Sequence, residues 1–321
     1  MDPILEVKNL SIRYHGAAEP AVRNVSFTLG RERLGIVGES GSGKSTVGRA
    51  IMRLIDSAEI TADTMRFEDV DLLNAPEREM LKVRGKRMSM ILQDPKFSLN
   101  PIQRCGHQIA EAYRTHVRCS KAEARAKVVE MLEQVHIRDP ERVYDLYPHE
   151  VSGGMGQRVM IAMMLLTSPD LVIADEPTSA LDVTVRLQVL RILDGLVKDK
   201  GIGLVMISHD LNLVADFCDR VLIMYAGRIV EQGPTATLLR DPRHPYTAGL
   251  IASLPAMATP GTPLRQIPGT TPSLLALPPG CPFAPRCEKA SDRCTADPEI
   301  THDGARDWRC FHPEGRIAEV P

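Results

Sequence analysis

GESGSGKST, Gly38–Thr46, decides the fold. It fits the pattern G-x-x-x-x-G-K-[ST] where that pattern has a physical meaning. The short apolar run Leu34–Val37 precedes it and reads as a strand; Thr46–Ile55 follows with helical spacing. Gly38, Gly41 and Gly43, with Ser40 and Thr46 between and beyond them, let backbone N–H groups wrap phosphate oxygens. The positive end of the helix dipole adds to that field. Lys44 is expected to reach the β- and γ-phosphates of ATP, and Ser45 to ligate Mg²⁺. A chance glycine-rich turn is the rival reading, and the flanking strand and helix argue against it.

Further along, LVIADEPTS, Leu171–Ser179, is an apolar strand ending in two carboxylates. Adjacent buried carboxylates cost free energy unless a metal or a proton uses them, which disfavours a plain strand end before a helix cap. Asp175 is expected to hold Mg²⁺ through water, and Glu176 to polarise the attacking water as general base. Gln93, in ILQDP after another strand-like run, reads as a contact to Mg²⁺ or that water. His209, in MISHD, reads as a γ-phosphate contact, although a lone histidine there is more often a structural hydrogen-bonder. Asp182, in SALD, stands where it could cross to a partner. Tyr14 could stack on adenine, with core packing as its rival.

SGGMGQR, Ser152–Arg158, is a second anion site. Ser152, Gly153 and Gly154 open a helix, and free N–H groups there face the positive end of its dipole. A chain that already has one phosphate cradle has no evident use for another, unless it clasps a nucleotide held by another subunit.

The remaining pattern fits this reading. The 321 residues, 43% hydrophobic and 25% charged, suffice for a large α/β core. A net charge of −2 gives no global sign of nucleic-acid binding. The longest apolar run, Val159–Thr167, falls short of the roughly 20 residues a bilayer crossing needs. MDPILEVKNL carries two acidic residues and no apolar leader core, so it does not read as a signal peptide. Leu5–Val7 and Val25–Leu29 alternate as in an antiparallel sheet. Strands then alternate with helices, which implies a parallel core sheet, and the mostly helical block from Pro101 to about Leu165 reads as an inserted subdomain. Val221–Tyr225 and Arg228–Glu231 flank a hairpin turn at Ala226-Gly227. From about Asp241 prolines are dense and periodicity fades, which predicts an irregular extension.

The order of these motifs, over about residues 5–235, resembles the ATP-binding subunits of ABC transporters. That resemblance implies a P-loop NTPase with a RecA-like core, an antiparallel β subdomain and a helical subdomain at about 95–165, all within residues 1–240. It implies two such domains stacked head to tail, with ATP between the phosphate loop of one and the signature of the other. The common signature LSGGQ is altered here: Val151 stands for the leucine and Met155 for the glutamine, while Ser152, Gly153 and Gly154 remain.

RHPYTAGLIASLP, Arg243–Pro255, and IPGTTPSLLALPPGCPFAPRC, Ile267–Cys287, look like the oligopeptide, dipeptide and nickel importer subfamily. That likeness implies a related but different partner ATPase, two permease subunits and an extracytoplasmic solute-binding protein, with this chain at the cytoplasmic face of the inner membrane. It favours peptides as the solute, with nickel or another small solute as alternatives. A soluble ABC ATPase acting on nucleic acid or ribosomes is the rival of another class. Such proteins usually carry both halves in one chain, long coiled coils or basic linkers. An exporter ATPase would commonly be fused to membrane spans.

Cys281, Cys287, Cys294 and Cys310 are separated by five, six and fifteen residues. In a reducing compartment such a cluster argues for metal over disulfides. The spacings are not those of usual zinc fingers or ferredoxins. The subfamily resemblance implies a 4Fe-4S cluster, ahead of zinc and of free thiols, with structural stapling as its role. Cys105, Cys119 and Cys218 read as inert thiols.

Overall fold

The computed structural model describes residues 2–94, 98–178, 181–257, 265–273 and 276–315. Ser179 and Ala180 of the SALD stretch, and Leu274 and Leu275 of the C-terminal stretch, lie outside the described residues. The chain forms two compact units, Met1–Leu73 with Met206–Pro321, and Asn74–Val205.

The first unit opens with β1 (Leu5–Tyr14), β2 (Val22–Leu29), β3 (Arg33–Val37), α1 (Lys44–Ile51), β4 (Ala58–Thr61), β5 (Thr64–Phe67) and β6 (Val70–Asp71). β1 pairs antiparallel with β2, β4 and β5, with Leu5 opposite Leu29 and Val7 opposite Phe27. Leu5, Val7, Leu10 and Ile12 are all buried; Asn9, in the left-handed region, accompanies a register shift that carries the apolar face past the break in alternation. α1 is shorter at its C-terminus than the helical spacing suggested, and the left-handed Arg53 marks the break after it.

The second unit contains α2 (Glu77–Val83), β7 (Met88–Ile91), α3 (Cys105–His116), α4 (Lys121–Gln134), α5 (Pro140–Asp145), α6 (Gly153–Leu165), β8 (Leu171–Asp175) and α7 (Val183–Lys200). β7 and β8 are parallel and fully buried, which fits their mostly apolar sequences; Ser89 and the terminal Asp175 are the polar exceptions. α3, α4, α5 and α6 pack on one another. α4 has the clearest local cause. The Ser120 hydroxyl accepts from the Glu123 N–H, and the Glu123 carboxylate accepts from the Ser120 N–H at 2.8 Å.

β9 (Gly203–Ser208) returns the chain to the first unit, which continues with α8 (Leu211–Phe217), β10 (Arg220–Tyr225), β11 (Arg228–Pro234), α9 (Thr235–Arg240), α10 (Pro245–Ala252), β12 (Thr301–Asp303) and β13 (Arg306–Trp308). There the strand order is β12-β13-β11-β10-β3, with β10 parallel to β3 and the other pairs antiparallel. Ala226 and Gly227 both have positive φ, as a tight hairpin of this hand requires.

The residues after Asp241 are joined to this unit more closely than their composition suggested. β13 extends the sheet at β11, with Trp308 opposite Glu231. The buried Glu231 carboxylate accepts from the N–H groups of Arg243 and His244, at 2.8 and 2.9 Å. Tyr225 of β10 packs against Tyr246 of α10 and Phe283, with ring centroids 4.6 and 5.3 Å away. Aromatic side chains, which carry large apolar area per residue, give this proline-rich segment its core. Among the described residues, no helix is long and apolar enough to cross a membrane.

Candidate functional site

The phosphate loop is a backbone structure. A side chain at Gly38 would meet the carbonyl oxygen of Met224 at 2.2 Å, so the loop leaves β3 pressed against β10. Gly43 heads α1 at φ 95 with no side-chain cap, and no acidic residue occupies the first turn. The positive end of the α1 dipole is therefore met by no carboxylate of its own first turn, which suits an anion. Lys44 is 7% exposed, and its ammonium donates to the carbonyls of Gly38 and Glu39, at 2.7 and 2.9 Å. Ser45 and Thr46 follow on α1. The Tyr14 hydroxyl lies 3.4 Å from that of Thr46, which puts the aromatic ring of β1 beside the helix that opens at the loop. Gly41, like Gly43, is in the left-handed region.

Glu39, the second residue of the loop, was not singled out by its sequence. Its N–H donates to the Tyr246 hydroxyl at 3.0 Å. Its carboxylate takes two guanidinium N–H bonds from Arg286, at 2.8 and 3.1 Å, and one from the Thr271 hydroxyl. Burial alone would raise the Glu39 carboxyl; the bonds from Arg286 and Thr271 outweigh it and hold the group below the usual carboxylate range. Three residues of the C-terminal segment thus grip the phosphate loop.

In the second unit, β8 ends at Asp175, which is 2% exposed. Glu176 follows in the left-handed region, at φ 51. Such a conformation costs a non-glycine residue free energy and is found where a side chain must be aimed. The buried Gln157 amide donates to the carbonyl of Pro177 at 2.9 Å, tying α6 to the turn that carries Glu176. Gln93 is exposed just beyond β7. His209, in the first unit, is exposed just beyond β9.

Ser152 is the N-cap of α6, its hydroxyl accepting from the Met155 N–H at 3.3 Å. Gly153 and Gly154 form the first turn, which has no acidic residue and is open to solvent at Ser152 and Gly153. Arg158 is spent on the turn behind it, donating to the carbonyls of Gly154 and His136. Asp182 caps α7, accepting from the N–H groups of Thr184 and Val185 at 3.0 and 3.1 Å, so it has a structural task whatever it meets in a partner. Asp182, Met155 and Arg158 line one pocket of this unit.

Cys281, Cys287, Cys294 and Cys310 line a single small cavity, together with His244, Phe283 and Phe311. Gly280 permits the approach: a side chain there would meet the carbonyl oxygen of Cys294 at 2.4 Å. The Cys281 N–H donates to that same oxygen at 3.0 Å. The His312 N–H donates to the Cys310 sulfur at 3.3 Å. Burial raises the thiols of Cys281, Cys287 and Cys310, the last to about 11, and the neighbouring thiols push each further up. The cysteines are unpaired, and among the described residues no group of three or more His, Cys, Asp or Glu is arranged to hold a metal ion.

The family described as "ABC transporter" matches residues 22–179, and "Oligopeptide/dipeptide transporter, C-terminal region" matches residues 230–294. The chain is 44% identical to the oligopeptide transport ATP-binding protein OppD of Haemophilus influenzae, over 94% of each chain. It is 42% identical to the probable D,D-dipeptide transport ATP-binding protein DdpD of Escherichia coli, over 99% of each. Among solved structures, the dimeric post-hydrolysis state of the ATP-binding cassette MJ0796 with ADP and Pi is 26% identical. It aligns with a TM-score of 0.63 over 72% of this chain and 98% of that one. The likeness runs through both the nucleotide motifs and the C-terminal segment: the chain belongs to the ATP-binding subunits of ABC transporters, in the oligopeptide/dipeptide branch, and is an ATPase.

Proposed function

We propose that this chain hydrolyses ATP to drive uptake of di- and oligopeptides, as a peripheral subunit on the cytoplasmic face of the membrane. The names of its relatives, oligopeptide and dipeptide transport proteins, support the solute class. The observation that carries the mechanism is the pair of helix openings whose first turns hold no acidic residue, Gly43 at α1 and Ser152-Gly153-Gly154 at α6. The first serves the chain's own ATP; the second serves ATP on a paralogous ATPase, and the partner returns the favour.

In this reading residues 1–240 are the nucleotide-binding domain, with residues 241–321 as an extension. Tyr14 stacks on adenine. The N–H groups of Gly38–Thr46 and the Lys44 ammonium bind the β- and γ-phosphates. Ser45, Asp175 and Gln93 supply the oxygen donors that Mg²⁺ prefers, and the ion when bound neutralises charge on the phosphate oxygens. Glu176 takes the proton of the attacking water, and His209 steadies the γ-phosphate. Closure of the paired ATPases passes to two permease subunits through the surface around Gln93 and the helical block. An extracytoplasmic binding protein delivers the solute.

The four cysteines fit a 4Fe-4S cluster better than zinc. The support is that all four thiols line one cavity, and the subfamily resemblance favours the iron–sulfur cluster over zinc. The N–H bond to the Cys310 sulfur is of the kind that stabilises bound thiolates. When bound, the cluster cross-links a segment with little apolar core.

Two measurements test these assignments. Glu176→Gln, in the transporter assembled with its partner, should retain ATP binding and lower turnover by about a hundredfold or more. Undiminished hydrolysis would remove Glu176 as the base. Anaerobically purified chain should show thiolate-to-iron charge-transfer absorption and about four irons per chain. Stoichiometric zinc, or neither metal, would refute the cluster.

A further inference from the structure

Arg286 is the most constrained cation of the C-terminal segment. Its side chain is 6% exposed, and each part of its guanidinium has an acceptor. Nε donates to the Pro268 carbonyl at 2.7 Å, Nη1 to Glu39 and to the Tyr225 hydroxyl at 3.2 Å, and Nη2 to the other Glu39 oxygen. A planar fork held this way fixes the carboxylate in orientation as well as in distance. Arg286 is itself fixed, on a 3₁₀ turn (Ala284–Arg286) between Cys281 and Cys287. Glu39 is then fixed at three points: its carboxylate by Arg286 and Thr271, its N–H by Tyr246, and its carbonyl by the Lys44 ammonium. A change in the Glu39 backbone must therefore alter the surroundings of Lys44.

We propose that Arg286 is a positioning residue for the phosphate loop: its two-point grip on Glu39 holds the loop, and through it Lys44, in the conformation that binds ATP. The C-terminal extension thereby sets the nucleotide affinity of a site to which it contributes no phosphate ligand. Without the guanidinium, a part-buried carboxylate keeps the Thr271 hydroxyl and the nearby Lys44 charge but loses its two-point partner. The cheapest relief is for Glu39 to swing toward water or to take up the Lys44 ammonium, and either distorts the cradle. The proposal rests on ATP binding at Gly38–Thr46, so its test must be able to fail separately.

The test measures equilibrium binding of a fluorescent ATP analogue to the full chain, KM and kcat in the assembled transporter, and the melting temperature of each variant. Arg286→Gln and Glu39→Gln should each weaken binding and raise KM by about tenfold, with a much smaller fall in kcat. Arg286→Lys, which keeps the charge and loses the fork, should be intermediate. The double variant should be no worse than the worse single one, because both remove the same contact. Binding unchanged in Arg286→Gln would overturn the proposal, as would additive effects in the double variant. A fall of kcat and melting temperature together with KM, in Arg286→Lys as well, would also overturn it by reducing Arg286 to a fold residue. Lys44→Ala is the parallel control. If it binds the analogue like the parent chain, the ATP assignment fails; if it loses binding while Arg286→Gln does not, only the positioning role fails.

Discussion

Gly43 heads α1 in a left-handed conformation with no side-chain cap, whereas Ser152 heads α6 in an extended one and caps it with its hydroxyl. Neither first turn holds an acidic residue. α4 instead closes a capping box, with the Glu123 carboxylate in its first turn accepting from the Ser120 N–H and the Ser120 hydroxyl from the Glu123 N–H. An acidic residue in the first turn suits a helix that only needs to be stable, and α1 and α6 both lack one where an anion would sit. The two then differ in what surrounds them. Around α1 the chain supplies a cation, Lys44, an aromatic, Tyr14, and a clamp on Glu39. Around α6 the turn is open to solvent, and Arg158 is committed to carbonyls behind it. On the proposed function the first would be a complete cradle and the second half of one, shared with a partner.

The largest expected effect lies in the complete cradle. Lys44→Ala removes the charge that faces the phosphates, and the isolated full chain should lose about a hundredfold in ATP affinity, read by equilibrium binding. Gly154→Asp attacks the half-cradle instead, by placing a carboxylate at an anion site. Binding to the isolated chain should stay within about twofold of the parent, while turnover of the assembled transporter falls by about tenfold or more. A loss of binding in the isolated chain would break the distinction, because it would make α6 part of this chain's own site.

These two elements were legible in the sequence for a physical reason. A phosphate cradle is made of backbone, so it demands glycines and a capping residue at fixed spacing, and local sequence records that demand. Strand assignments such as Leu34–Val37 and the hairpin of Val221–Tyr225 and Arg228–Glu231 were legible likewise, through short apolar runs and turn residues. What the sequence hid is made of side chains meeting across long separations. Arg286 and Glu39 are 247 residues apart, and each looks like an ordinary surface charge in its own neighbourhood. The four cysteines were read as a cluster from their number, but the close approach of Gly280 to Cys294 that helps to gather them is not recorded in their spacing. The pairing of β13 with β11 was hidden because three-residue strands carry no usable period. Asp182 shows the intermediate case: its position beyond the carboxylate pair suggested a partner contact, and its cap on α7 emerges only with the helix in view.

The smallest effect separates stability from anion contact at Ser152. Ser152→Ala deletes the cap of α6 and should lower stability by about 1 kcal/mol, seen as a lower urea midpoint with unchanged slope. Ser152→Asp caps as well as serine does, and its charge favours the helix dipole, so its stability should match or exceed the parent's. If the turn were only a helix start, activity would follow stability and the aspartate variant would be the better enzyme. If the turn receives the phosphate of a partner's ATP, the order inverts: the aspartate variant is stable and turns over slowly, the alanine variant less stable and faster. The ranking of two variants at one position therefore decides between a cap and a half-site, without requiring either effect to be large.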